Sequence, residues 1–241
     1  MAEGEQALVL LPGLLCDREV WQQQIEALAD IADCIPIEWS DENSLVAMAH
    51  TALRQAPGRF SVVGHSMGGR VALEVFRLAP ERVARIALFN TGYQARPKTT
   101  AGEEEERGRM TLLGVARSDG MRAMAAQWLP PMIHPARRTD QALVNTIIEM
   151  FARKTADTFA AQIRALLDRP DATAVLEQIR CPALLLTGRE DQWSPVSRHE
   201  EMAARIPRST LTAVPECGHM STLEQPAAVS VALRGWLATR V

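Results

Sequence analysis

Phe60-Ser61-Val62-Val63-Gly64-His65-Ser66-Met67-Gly68-Gly69-Arg70 is the stretch that decides the fold. Its first four residues are apolar and β-prone, with Ser61 the one polar member. Directly behind Gly69 comes Arg70-Val71-Ala72-Leu73-Glu74-Val75-Phe76-Arg77-Leu78, whose apolar residues recur at helical spacing. Between strand and helix stands Gly-x-Ser-x-Gly. A turn this sharp forces its central residue into strained backbone, and side chains beside it collide with the neighbouring strand and helix, so small residues flank it. Such a turn lifts the Ser66 hydroxyl above the carboxyl end of a strand and beside the free N–H groups of a helix start. The plainer reading is a glycine-rich turn with an incidental serine.

Working outward, strands and helices alternate. Residues 6–11 predict a buried strand ended by Pro12-Gly13, and residues 17–30 a helix with Asp17 as N-cap. Residues 33–38 predict a second strand, which Pro36 marks as an edge or a bulge. Helices are expected over 43–55 and 67–78, and strands over 60–64 and 83–89. The rhythm then changes. From 92 to 175 no buried strand is legible, and helical stretches are expected near 102–117, 119–128, 140–153 and 157–168. Strand 183–187, helix 195–206, strand 209–214 and helix 225–238 restore the alternation. Alternation predicts an α/β fold, a mostly parallel sheet of about six to seven strands covered by helices on both faces. The segment 92–175 is too long for a simple connection and reads as a helical lid inserted after the strand ending near residue 89. Residues 1–91 and 176–241 then form the core. The acidic run Glu103–Glu106 reads as a solvated first turn of a lid helix.

Composition narrows the function. The chain has 241 residues and a formal net charge of −3, so no global basic field attracts nucleic acid or an anionic membrane. No apolar run reaches the roughly 18 residues that span a bilayer. The N-terminus, MAEGEQALVLLPG, has no basic region ahead of its apolar run, so no signal peptide is read and a cytoplasmic location is expected. Cys16, Cys34, Cys181 and Cys217 match no zinc or redox spacing and read as reduced, partly buried thiols. Cys16 and Cys217 flank segments of interest below, which makes them candidates for oxidant access. No metal or cofactor site is expected, and the expected partner is a small molecule.

Gly64-His65-Ser66-Met67-Gly68-Gly69 resembles the nucleophile elbow of the α/β-hydrolase family, and the resemblance extends over nearly the whole chain. It implies the order serine, acid, histidine. Glu216-Cys217-Gly218-His219-Met220 follows the last strand, where the family carries its general base. Gly188-Arg189-Glu190-Asp191 resembles the family's acid segment and implies Asp191, with Glu190 as the rival. His50, His65, His134 and His199 do not follow the last strand, and the side chain of His65 is expected to point away from Ser66. The resemblance places an oxyanion hole at the backbone N–H groups of Met67 and Leu14. Pro12 stands where a histidine is common, and a plain Pro-Gly turn is the alternative there. Ile37-Glu38-Trp39-Ser40-Asp41 replaces the family's glycine-rich segment after the second strand, and the family's N-terminal hairpin is missing or very short.

The resemblance implies a serine hydrolase of a small carboxylic ester, thioester or lactone, using Ser66, Asp191 and His219. Candidate substrate contacts are Leu15, Trp128, Leu129, Trp193 and Met220. Met110, Met121, Met124, Met132 and Ile133 are weaker candidates for an apolar pocket, as are Arg96, Arg109, Arg137 and Arg138 for a substrate carboxylate. Two alternatives stay open. The same triad serves carbon–carbon hydrolysis or proton abstraction in relatives, and Gly68-Gly69-Arg70 resembles a segment of menaquinone-pathway members, although Arg70 is more simply a helix-surface residue. The fold also serves as a ligand-binding receptor.

Overall fold

The computed structural model describes residues 6–241. Six strands form one sheet: β1 (Gln6–Leu11), β2 (Ala32–Pro36), β3 (Phe60–His65), β4 (Val83–Phe89), β5 (Ala183–Gly188) and β6 (Ser209–Val214). Their order is β2-β1-β3-β4-β5-β6, and every neighbouring pair is parallel. β3 and β5 are buried at every position, as strands covered on both faces must be. β2 lies at the edge, where Pro36 costs no ladder hydrogen bond.

Among the described residues eleven α-helices accompany the sheet: α1 (Gln22–Leu28), α2 (Leu45–Gln55), α3 (Met67–Leu78), α4 (Thr100–Ser118), α5 (Met121–Trp128), α6 (Gln141–Ala152), α7 (Ala156–Leu167), α8 (Thr173–Leu176), α9 (Val196–Ala203), α10 (Ser221–Glu224) and α11 (Pro226–Leu237). α2 packs on α3, and α1 on α11. The expected helix over 17–30 divides: a 3-10 turn, Arg18–Trp21, capped by the Asp17 carboxylate, precedes α1. α3 begins at Met67 and buries nine of its twelve residues against the sheet and α2.

Chain direction reverses across the sheet between β1 and β3. From β1 the chain goes to β2 on one side and then to β3 on the other. The loops leaving those two adjacent strands therefore part from each other and leave a crevice at their carboxyl ends. Pro12-Gly13 leaves β1 there, and Ser66 leaves β3.

Between β4 and β5 the described residues hold α4 to α8 and no strand. α4 packs against α5 and α7, and α5 against α6. The ends of this segment meet where Ala172 N–H donates to the Tyr93 carbonyl at 2.9 Å. The acidic run at the start of α4 is not wholly solvated. Glu105 turns inward and takes both Arg169 (2.7 Å) and Arg109 (3.0 Å). Burial raises its pKa, but the two guanidinium groups outweigh that and bring it down to about 2.

Candidate active site

Ser66 sits at φ 55°, ψ −114°, a strained backbone for a residue with a side chain. Its N–H donates to the Phe89 carbonyl at 2.8 Å, and its own carbonyl accepts the Thr91 hydroxyl at 2.6 Å. The glycines around it answer a spatial demand. A Cβ at Gly64 would stand 2.1 Å from the Gly68 carbonyl oxygen, and a Cβ at Gly68 would stand 2.1 Å from that of Leu11.

The structure brings Ser66, His219 and Asp191 together from three separate loops. His219 Nε2 lies 2.9 Å from Ser66 Oγ, and His219 Nδ1 lies 2.8 Å from Asp191 Oδ2. A carboxylate on Nδ1 keeps the proton there and turns the Nε2 lone pair toward the serine hydroxyl. Asp191 is buried. Burial raises its pKa, but His219, the Asn90 amide and the Ser194 N–H together hold its carboxyl below the usual range. The rival Glu190 faces elsewhere and accepts the Cys217 N–H at 2.9 Å.

The loop carrying His219 is tied down from several sides. His219 N–H donates to the Met132 carbonyl at 2.6 Å. The buried Glu224 carboxylate accepts the N–H groups of Gly218 (3.1 Å), Met220 (3.0 Å) and His134 (2.7 Å). His65 does not simply point away. It is buried 5.4 Å from the His219 ring, and its Nε2 donates to the His219 carbonyl at 2.8 Å. Burial, and then neighbouring His219, lowers its pKa to about 3, so it stays neutral.

A cavity of about 600 Å³ opens over Ser66 and His219. Leu14 and Met67 line it, and neither backbone N–H has a hydrogen-bond partner among the described residues. Two unspent donors beside a serine hydroxyl suit a developing oxyanion. The Pro12 carbonyl accepts the Trp39 indole N–H at 3.1 Å, so the unusual Ile37–Asp41 segment braces this loop.

Of the expected substrate contacts, Trp128, Trp193 and Met220 line the cavity. Leu15 and Leu129 do not. Leu15 is fully buried at φ 61°, its N–H donating to Gln162 Oε1 at 2.8 Å, and Leu129 packs into the core. Trp193 meets His219 edge-on at 5.0 Å and stacks on Trp128 at 5.7 Å. Met132 also lines the cavity, whereas Met124 is wholly in the core and Met110 is exposed. Among the arginines only Arg109 of the expected group faces it. Arg96 pairs with Glu106, and Arg137 with Asp140. Arg70, expected on a helix surface, lines the cavity as well.

Of the two cysteines expected to be open to oxidants, Cys16 lines the cavity and Cys217 does not. Both are buried, and burial pushes both thiols up, away from the reactive thiolate. Among the described residues no three His, Cys, Asp or Glu side chains converge as a metal-binding group. No described helix is long and apolar enough to cross a membrane.

Asn90 escaped the sequence reading. Its amide donates to Asp191 Oδ2 (3.0 Å) and to the Gly218 carbonyl (3.2 Å), while its oxygen accepts the Ser221 hydroxyl (2.6 Å). A polar residue at the carboxyl end of a buried parallel strand was the available signal.

The model of the alpha/beta hydrolase family matches residues 8–232. The chain belongs to this family. A pimeloyl-[acyl-carrier protein] methyl ester esterase of Nitrosomonas europaea is 27% identical over 91% of this chain and 90% of its own length. A 2-hydroxy-6-oxononadienedioate/2-hydroxy-6-oxononatrienedioate hydrolase of Burkholderia vietnamiensis is 26% identical over 92% of this chain and 83% of its own. Among solved structures, a thermophilic esterase of Thermogutta terrifontis, with malate bound, superposes with a TM-score of 0.84 and 29% identity, over 97% of this chain and 90% of that one.

Proposed function

We propose that this alpha/beta hydrolase is a serine hydrolase that cleaves a small carboxylic ester, thioester or lactone through an acyl-enzyme on Ser66. The observation that carries the reading is the hydrogen-bond chain Ser66 Oγ–His219 Nε2 (2.9 Å) and His219 Nδ1–Asp191 Oδ2 (2.8 Å) at the floor of a cavity. Ser66 Oγ attacks the substrate carbonyl as His219 Nε2 takes its proton. Asp191 steadies the imidazolium without taking a proton itself. The Leu14 and Met67 N–H groups receive the oxyanion. His219 returns the proton to the leaving oxygen or sulfur, and water then cleaves the acyl-enzyme by the same route.

The stacked indoles of Trp128 and Trp193 supply an apolar wall, with Phe151 and Phe159 packed 5.6 and 5.9 Å from Trp128. Trp128 comes from the helical segment between β4 and β5, which acts as a lid over the core. A cavity near 600 Å³ suits a small-molecule substrate. All four cysteines are unpaired, which supports work in the reducing cytoplasm. The reaction as written uses no metal or cofactor.

Intact-mass measurement after exposure to a fluorophosphonate tests the reading. One adduct on Ser66 is expected, absent in Ser66→Ala and formed at least ~100-fold more slowly in His219→Ala. A folded wild-type protein that takes no label overturns it. The carbon–carbon hydrolase among the relatives keeps a second reading in view: turnover of a vinylogous diketone without turnover of any ester would favour it.

A further inference from the structure

Arg70 and Arg198 reach the same cavity from different elements. Arg70 lies on the first turn of α3, four residues after Ser66, and Arg198 lies on α9 beyond Asp191. Their side chains cross the backbone at Gly92. A Cβ at Gly92 would stand 2.9 Å from Arg70 Nη2, 3.1 Å from Arg198 Cδ and 3.6 Å from Arg198 Nη1. The missing side chain at Gly92 leaves room for both where they lie.

Neither guanidinium has an anionic partner. Arg70 Nη1 donates to the Gln94 carbonyl at 2.9 Å, and Arg198 Nη1 donates to the Trp193 carbonyl at 2.6 Å. Those are their hydrogen bonds to the described residues, and neither forms an ion pair there. Most of the five N–H donors of each group are left unspent. The carboxylates nearby are already engaged or lie to one side. Glu105 is committed to Arg169 and Arg109, and Glu104 lines the wall from the exposed face of α4. The cavity wall thus carries four arginines against two glutamates. Arg70 feels this surplus: burial, and then Arg169 and Arg198, bring its pKa down to about 9. Two half-buried like charges held together call for an anion, and the paired forks match a planar carboxylate.

We propose that Arg70 and Arg198 form an anion subsite in the wall of the Ser66 cavity, and that it takes the free carboxylate of a substrate whose other end is the ester or thioester attacked by Ser66. Ser66, Arg70 and Arg198 line one cavity of about 600 Å³, so the substrate class is the half-ester of a short dicarboxylic acid. The inference rests on the hydrolase reading for the scissile end alone; anion binding stands apart from it.

Two measurements separate the two. In the first, kcat/KM is compared for mono-p-nitrophenyl glutarate and p-nitrophenyl valerate, which share an acyl length and differ in the terminal carboxylate. The wild-type protein should favour the half-ester roughly tenfold or more, mainly through KM, and the ratio should shrink as salt is raised. Arg198→Met and Arg70→Met should bring the ratio toward one. A wild-type ratio at or below one, or a ratio that neither variant alters, overturns the subsite. In the second, calorimetric titration of wild-type protein with glutarate, and with neutral glutaramide, needs no turnover and no variant. Glutarate binding without glutaramide binding upholds the subsite even where no ester is cleaved and no fluorophosphonate reacts. Binding of neither, or inorganic phosphate binding as tightly as glutarate, overturns the carboxylate assignment.

Discussion

Backbone strain among the described residues is gathered along the carboxyl edge of the sheet. The non-glycine residues with positive φ are Leu15, Ser66, Asn90 and Glu216, and each follows the carboxyl end of a strand: β1, β3, β4 and β6 respectively. Strain of this kind costs on the order of 1–3 kcal/mol at each site and persists only where surrounding contacts over-determine it. Asparagine visits this region most cheaply of the four residue types, and Asn90 repays it with four side-chain hydrogen bonds. Two of them hold Asp191 and the carbonyl just before His219. In the proposed mechanism Asn90 is thus a positioning residue that acts through Asp191 and His219. Asn90→Ala should lower kcat by roughly 10–100-fold, the worth of one hydrogen bond to a charged group, with KM for a p-nitrophenyl ester changed little. Steady-state kinetics read this directly. A rise in KM with kcat preserved would place Asn90 in the substrate pocket instead.

The loop after β1 is where the helical segment grips the sheet domain. Gln162 on α7 accepts the Leu15 N–H, and Arg153 just beyond α6 pairs with Asp17 at 2.9 Å. The Leu14 N–H lies one residue before the first of these anchors, so the packing of α6 and α7 bears on the position of a proposed oxyanion donor. Gln162→Leu removes the acceptor and leaves a buried N–H unpaired, at about 1–3 kcal/mol. In a domain this size, at about 2–4 °C per kcal/mol, the melting temperature should fall by roughly 2–12 °C. Calorimetry checks it, and an unchanged melting point would show that Leu15 N–H finds another partner. The long elements around these anchors were legible in the sequence for a physical reason. α3 and β4 carry unbroken periodicity, and their expected limits match the observed ones. α8 escaped because four residues hold too little pattern, and β2 ends at Pro36 rather than residue 38. The cavity wall was the least legible part. Leu15 and Leu129 were expected in it and Arg70 outside it, because which way a side chain faces depends on partners far away in the chain.

Six parallel strands put all their carboxyl ends on one edge of the sheet, and that edge assembles residues the chain keeps far apart. Ser66 and His219 are separated by 153 positions, yet both follow strands of the same sheet. The order serine, acid, histidine was implied by the resemblance to the α/β-hydrolase family, and each of the three residues follows a strand. The ionic frame on the far side of the cavity could not be read in the sequence, since it joins α4 to the segment after α7. Glu105 on α4 takes Arg169 bidentately at 2.7 Å, and Arg109 at 3.0 Å. Its pKa is lowered to about 2 from an ordinary 4.5. A carboxylate whose folded pKa is depressed contributes stability that is present above its unfolded value and lost as pH falls through its folded value. For Glu105 that window runs from 4.5 down to about 2. Glu224 and Glu74 have the opposite sign. Burial raises both, so what they contribute is present at low pH and lost as pH rises through their folded values. Glu105→Gln isolates the first contribution. At pH 7 the variant should be less stable than wild type by on the order of 3 kcal/mol, discounted for the partial exposure of the pair. The difference should begin to narrow below pH 4.5, where the unfolded chain takes up its proton, fall to about half by pH 3 and nearly close only near pH 2, where folded Glu105 is protonated as well. Urea unfolding of both proteins at each pH measures it. A difference that stays constant from pH 7 to pH 3 would show that Glu105 holds α4 by shape, and that its charge contributes nothing to the joint.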